Sequence, residues 1–374
     1  MKILISLGTR PEAIKMASLI KAFREDSFFD IRVCNTGQHK ELLSPILELF
    51  NISTDYKLNV MESGASISNL FGKILTSFTE VIEDFEPDLV VVHGDTATTA
   101  ASSLAAYFCK TRVAHIEAGL RTGDMYSPWP EEGNRKLVGG IAWLHFAPTI
   151  KASNNLIQEG VKESKIFITG NTVIDSLFLA LDILNNDKDI NRTLEEKYSY
   201  LNDKKRLILV TGHRRENFGD GFLNICNALR ALSSKNEDIQ ILYPVHLNPN
   251  VQGPVQDILS DQQNIYLIEP VGYLDFIFLM KKSYFILTDS GGIQEEAPSM
   301  GKPVLLMRDT TERPEAVDSG TVKMVGAIEE TILNYAQKLL DDDSLYRLMS
   351  TAKNPFGNGA ACKEICNALK EIKL

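Results

Sequence analysis

Short apolar runs alternate along the chain with stretches whose apolar residues recur every three or four positions. Runs at 2–7, 31–35, 89–93, 113–117, 145–147 and 165–169 predict a first series of buried strands. A second series is predicted at 207–211, 239–244, 265–268, 284–288 and 303–307. Helical periodicity fills the intervals, as at 12–24, 66–85 and 224–233. Strands that are apolar on both faces and separated by helices mean β-α units and parallel sheets. The expectation is an α/β fold of two Rossmann-like, doubly wound parallel-sheet domains, at 1–170 and 171–354. The polar stretch 185–205 reads as a surface excursion of the second domain. Near the end, Ile365, Leu369 and Ile372 share one helical face.

The composition changes the picture little. Hydrophobic residues are 44% and charged residues 24% of 374, which excludes a disordered chain, a collagen-like fibre or a coiled coil. Lys and Arg number 39 against 49 Asp and Glu, a net charge of −10. That argues against nucleic acid or an acidic membrane as partner, but not against a small anion held by local cations. The apolar start stops at Gly8, and no run approaches the roughly 20 residues a bilayer requires. Five cysteines, an odd number, suit reduced thiols, so the expected compartment is the cytoplasm. Cys362 and Cys366 read as packing residues, and no metal site is expected.

Ligands of open parallel sheets bind outside the carboxyl ends of the strands, so the loops there carry the candidate chemistry. Gly8-Thr9-Arg10-Pro11-Glu12 combines a capping box with Arg10 and Lys15 at a helix start, an anion-binding arrangement. In His93-Gly94-Asp95-Thr96, Asp95 is either the cap of the next helix or an acid. Glu117, ending an apolar strand, is either an acid/base or the ion-pair partner of Arg121. After Ser127-Pro128-Trp129-Pro130, Glu131 and Arg135 share one helix face, as a surface pair would. His213, beside two arginines, fits contact with phosphate. Asp289-Ser290-Gly291-Gly292 lets backbone amides approach a pyrophosphate, and Glu296 suits ribose hydroxyls. No Walker A, GxGxxG, GxSxG or HExxH pattern is present, and no cofactor is implied.

In order, these motifs resemble the bacterial UDP-N-acetylglucosamine 2-epimerases over nearly the whole chain. The match includes Gly170-Asn171-Thr172-Val173-Ile174-Asp175 and Gly212-His213-Arg214-Arg215-Glu216. Arg121-Thr122-Gly123-Asp124 and Asp309-Thr310-Thr311-Glu312-Arg313-Pro314-Glu315 favour the non-hydrolysing branch. The resemblance implies a glycosyltransferase-B-like fold with an interdomain cleft, and a C-terminal helix, 355–374, crossing back onto the first domain. It implies interconversion of UDP-GlcNAc and UDP-ManNAc without NAD or metal, by elimination of UDP to 2-acetamidoglucal and re-addition. Asp95, Glu117, Glu131 and His213 match the family's catalytic positions. Arg10, Ser290, Gly291, Gly292, Glu296 and Arg313 match its UDP contacts, Lys15 and Arg135 other site contacts, and Phe276 a position near the uracil. A homodimer and a role in surface-polysaccharide supply are expected on the same ground.

One departure concerns a second, activating UDP-GlcNAc bound by some relatives. The segment reads Gln38-His39-Lys40-Glu41, with Lys73 where the family's Arg aligns. Glu41 would repel a phosphate, so activation is expected to be weak or absent. The rival readings are a hydrolysing relative, a retaining glycosyltransferase on the same fold and a nucleotide-sugar sensor without turnover.

Overall fold

In the computed structural model, which describes residues 1–38, 40–61, 64 and 66–372, the apolar runs are parallel strands of two sheets. The first holds β1 (Lys2–Leu7), β2 (Asp30–Asn35), β3 (Tyr56–Lys57), β4 (Leu89–His93), β5 (Arg112–Ile116), β6 (Leu144–Ala147) and β7 (Ile166–Ile168). Their order is β3-β2-β1-β4-β5-β6-β7. The second holds β8 (Arg206–Thr211), β9 (Ile239–Pro244), β10 (Ile265–Ile268), β11 (Phe285–Thr288), β12 (Val304–Leu306) and β13 (Val322–Met324). Their order, β10-β9-β8-β11-β12-β13, repeats the doubly wound pattern. The order therefore reverses between β1 and β4 in one sheet and between β8 and β11 in the other, and those switch points are where such sheets bind ligands. β3 and β13, of two and three residues, are too short to leave a periodic signal and were not expected.

Contacts divide the chain into 1–178 with 356–374, and 179–355, the boundary falling within the helix Thr172–Asn186. In the first unit β4, Leu-Val-Val-Val-His, is buried throughout, as a central parallel strand covered on both faces must be. The helix Ala97–Phe108 approaches this sheet closely because nine of its twelve residues are buried Ala, Ser or Thr. Ser102 Oγ lies 2.7 Å from Ser6 Oγ of β1. Closeness leaves no room at Gly8, where a Cβ would sit 2.1 Å from Thr98 Oγ1. The helix Ala361–Glu371 packs on the helix Arg10–Glu25 of the same unit, and the amides of Ala361 and Cys362 donate to Asp175.

The second unit closes around Ile208, Val210, Phe222, Leu229, Phe285 and Leu287. Residues 185–205 are more than a surface excursion. They include the helix Lys188–Lys197, and they bury Leu194, Tyr198 and Leu201, with the Tyr198 ring stacked on Phe278. Three apolar residues at spacings of four and three are masked in the sequence by the charges between them. Among the described residues, no helix is long and apolar enough to cross a membrane.

Candidate active site

Glu117 directly follows β5 and is the hub of the first unit's charged residues. It is 4% exposed, and its backbone is left-handed at φ 63°. A non-glycine residue in that region costs on the order of 1–3 kcal/mol, a strain that tends to mark functional positions. Its Oε2 pairs with Lys15 Nζ and accepts from Asn171 Nδ2 at 2.8 Å. Its Oε1 accepts from Arg135 Nη2 at 2.8 Å, and its carbonyl from Arg135 Nη1 at 2.7 Å. Arg135 in turn donates through Nε to Asp95 Oδ2 at 2.9 Å.

Lys15, Asp95, Glu117 and Arg135 are thus one constellation, and the structure decides among the local alternatives that the sequence left open. Arg121 pairs with Glu159, at 2.7 Å, and not with Glu117. Arg135 is not at the surface but buried between Glu117 and Asp95. The cap of the helix Ala97–Phe108 is Thr96, which frees the Asp95 carboxylate from that task. The Asp95 side chain is 28% exposed, the most open group of the four.

Buried polar groups brace the hub. The capping box is present, but Glu12 does more than cap. Its Oε2 accepts from the amides of Gly8 and Thr9, and its Oε1 from the hydroxyls of Thr96 and Thr99. This carboxylate, not a free anion site, meets the Gly8 and Thr9 amides, and burial raises its pKa. His93 Nε2 lies 3.9 Å from Glu117 Oε2. Burial pushes its pKa down to about 4 against the pull of Glu117, so the ring is neutral near pH 7. His115 Nε2 donates to Gly94 O at 2.7 Å, and burial holds the pKa of its ring well below the usual range.

The Pro128–Pro130 loop enters the helix Glu131–Ile141, whose first residue, Glu131, is half-buried. Glu132 was not singled out in the sequence. It is buried, and it accepts from the amides of Thr122 and Gly123 at 3.1 and 3.3 Å, tying the loop's two ends together.

In the second unit, His213 follows β8 and Asp289 follows β11, the two strands of the switch point. An alternating ladder of charge lies beside them. Arg308 pairs with Glu216 at 2.8 Å and with Glu312 at 2.9 Å. Arg313 pairs with Glu312 at 2.6 Å and with the buried Glu295. Burial works against charge on Glu312, yet Arg313, Arg308 and Arg214 hold its carboxyl far below the usual range. Gly291 packs closely on this ladder, since a Cβ there would meet Arg313 Nη1 at 2.6 Å and Glu312 Oε1 at 2.9 Å, the far ends of two long side chains. Glu296 accepts from Tyr273 Oη at 2.8 Å, a partner not foreseen. The Ser290 amide donates to Thr288 Oγ1 at 2.9 Å.

Arg10 opens its helix and is half-buried, as is Phe276 in the helix Tyr273–Lys282. Of the segment expected to bear on activation, Gln38 accepts from the amide and hydroxyl of Thr98 at 3.2 and 2.8 Å. Lys73 is half-buried on the helix Ile67–Phe85. His39 and the side chain of Glu41 lie outside the described residues.

The profile of a family described as UDP-N-acetylglucosamine 2-epimerase matches residues 21–370. A UDP-N-acetylglucosamine 2-epimerase of Campylobacter jejuni is 54% identical over 98% of the chain and 97% of its own length. One of Escherichia coli K12 is 52% identical over the whole of both chains. The crystal structure of UDP-GlcNAc 2-epimerase from Neisseria meningitidis bound to UDP-GlcNAc superposes with a TM-score of 0.94. It is 48% identical, and the match covers all of both chains.

Proposed function

The chain belongs to the UDP-N-acetylglucosamine 2-epimerase family, and on that premise we propose that it inverts C2 of UDP-GlcNAc, reversibly, to give UDP-ManNAc. The route we infer is elimination followed by re-addition. A carboxylate takes the proton from C2, and the C1–O bond to the β-phosphate breaks with its electron pair. UDP leaves, and the sugar becomes 2-acetamidoglucal. UDP then returns to C1 while a proton is delivered to the other face of C2. Substrate and product have the same composition and oxidation state, so no external oxidant or reductant enters the balance.

Glu117 is the observation that carries this reading: a buried, strained carboxylate held from three directions by Lys15, Arg135 and Asn171. Removing a weakly acidic C2 proton needs a base fixed in place, and returning one on the other face needs a second group. Asp95, Glu117 and Glu131 share these two tasks. Lys15 and Arg135 compensate the carboxylates' charge and fix their geometry.

The second unit's constellation serves the same substrate at its nucleotide end. In this unit His213 takes part in turnover beside the diphosphate, Ser290, Gly291, Gly292 and Arg313 contact UDP, Glu296 takes the ribose hydroxyls, and Phe276 lies at the uracil; in the first unit Arg10 is read as a further UDP contact. Tyr273 orients the Glu296 carboxylate for that task. We also read the protein as a cytoplasmic homodimer whose product supplies a surface polysaccharide, on the strength of the family resemblance.

Chromatography of nucleotide sugars tests the reading. UDP-GlcNAc and UDP-ManNAc, each supplied alone and without cofactor, are expected to reach the same mixture. Stoichiometric free ManNAc and UDP would assign the protein to hydrolysis, and an unchanged substrate would remove the epimerase assignment.

A further inference from the structure

Asp289 is given no task in the proposed reaction, yet it directly follows a strand of the second switch point. It is fully buried at the end of β11. Its Oδ2 accepts the backbone N–H groups of His213 and Arg214, each at 2.8 Å. Its Oδ1 lies 3.3 Å from His213 Nδ1 and has no hydrogen-bond partner among the described residues. A buried carboxylate oxygen left without a donor is costly, and an Nδ1–H on the neighbouring ring would satisfy it. On the ring's face, His246 stacks at a centroid distance of 5.6 Å and 23°. Its Nδ1 accepts the N–H of Asn248 at 3.1 Å, so that atom carries no proton to compete for Asp289.

We propose that Asp289 is the positioning residue of His213: its Oδ2 fixes the backbone of 213–214, and its Oδ1 keeps the proton on Nδ1, so that Nε2 is the nitrogen offered to substrate. The inference rests on the reading of His213 as a participant in turnover. A neutral imidazole in water prefers its proton on Nε2, so the environment must reverse the preference. Burial, Arg214, His246 and Arg308 disfavour the imidazolium, and Asp289 favours it. Loss of the Asp289 charge therefore lowers the pH at which His213 takes up a second proton. An Asn in its place presents either an amide N–H, which forces the wrong tautomer, or an oxygen without charge.

Nitrogen NMR of the full-length protein labelled at histidine reads the tautomer directly, with His213→Asn identifying the signal. Nδ1–H with a bare Nε2 is expected above the His213 titration, and a ring protonated on Nε2 would overturn the proposal without any variant of Asp289. Kinetics of Asp289→Asn, His213→Asn and the double variant form the second arm. Asp289→Asn is expected to lower kcat about 10²-fold and to move its pH profile to lower pH. The double variant is expected to match His213→Asn within about 3-fold, because Asp289 acts through that ring. Losses that multiply in the double variant, or an Asp289→Asn pH profile identical to wild type, would make Asp289 a folding residue only. A His213→Asn variant of full activity would instead overturn the reading of His213, and the proposal with it.

Discussion

The two units place charge at the same point of the same topology, beside the strands where the order reverses, but they compensate it differently. The first unit gathers Lys15, Arg135 and Asn171 on one buried carboxylate, Glu117. The second strings Glu216, Arg308, Glu312, Arg313 and Glu295 into a ladder in which every inner member has at least two partners. A hub fails when its centre is neutralised, whereas a ladder loses one rung and keeps the rest. A hub also fixes one group rigidly, as bond-making chemistry demands, while a ladder presents several cations over a length suited to a diphosphate.

The largest expected effect comes from neutralising the hub. Glu117→Gln is predicted to reduce turnover about 10³-fold and, by leaving buried cations uncompensated, to cost about 3 kcal/mol of folding stability. UDP affinity, measured by calorimetry, is predicted to stay within about 3-fold of wild type, equivalent to under about 0.7 kcal/mol. A variant that turns over normally, or that loses UDP binding as completely as activity, breaks the division of labour between the units.

Glycine packing sharpens the comparison next. A Cβ at Gly8 would meet the short, fixed hydroxyl side chains of Thr98 and Thr36 at 2.1 and 2.4 Å. At Gly291 it would meet the far ends of Arg313 and Glu312. Gly8→Ala is therefore expected to cost about 1–3 kcal/mol by overpacking, and Gly291→Ala less. Urea denaturation checks this, and equal losses would show that the side chains around Gly291 yield no more readily than those around Gly8.

Glu296→Gln probes the nucleotide end. It is predicted to weaken UDP about tenfold, or about 1.4 kcal/mol, with kcat within about 3-fold of wild type. A kcat loss without a change in affinity would move Glu296 out of the nucleotide contacts.

The smallest effect is on stability against pH. Burial depresses His93 and His145 to about 4 and His115 further, against an unfolded value near 6.5. Between those values the unfolded chain binds more protons, so stability falls as pH falls through 6.5. Glu12, raised by burial, acts in the opposite sense as pH rises past 4.5. The urea midpoint is expected to be lower at pH 5.5 than at 7.5, and a flat profile would mean that the buried rings ionise without cost.

Much of this was legible in the chain, and the failures share a cause. Apolar runs located eleven strands because a buried parallel strand is apolar on both faces. Position after a strand singled out Asp95, Glu117 and His213, because the topology itself makes those loops the mouth of a sheet. Pairing was not legible. Arg121 was the partner offered for Glu117 as the alternative to an acid/base role, and Arg135 the one offered for Glu131, because spacing shows only neighbours along the chain. The partners Lys15, Asp95, Arg135 and Asn171 come from other elements, up to 102 residues away. Asp289 and Glu132 escaped for the same reason: each is defined by backbone amides that only the fold brings to it.

Proton NMR of the wild-type protein with UDP-GlcNAc in heavy water tests the C2 chemistry most directly. Growth of UDP-ManNAc with deuterium at C2, and deuterium entering the remaining UDP-GlcNAc at the same position, is the predicted result. Formation of UDP-ManNAc that keeps its original C2 proton would contradict removal of that proton by a carboxylate in exchange with solvent.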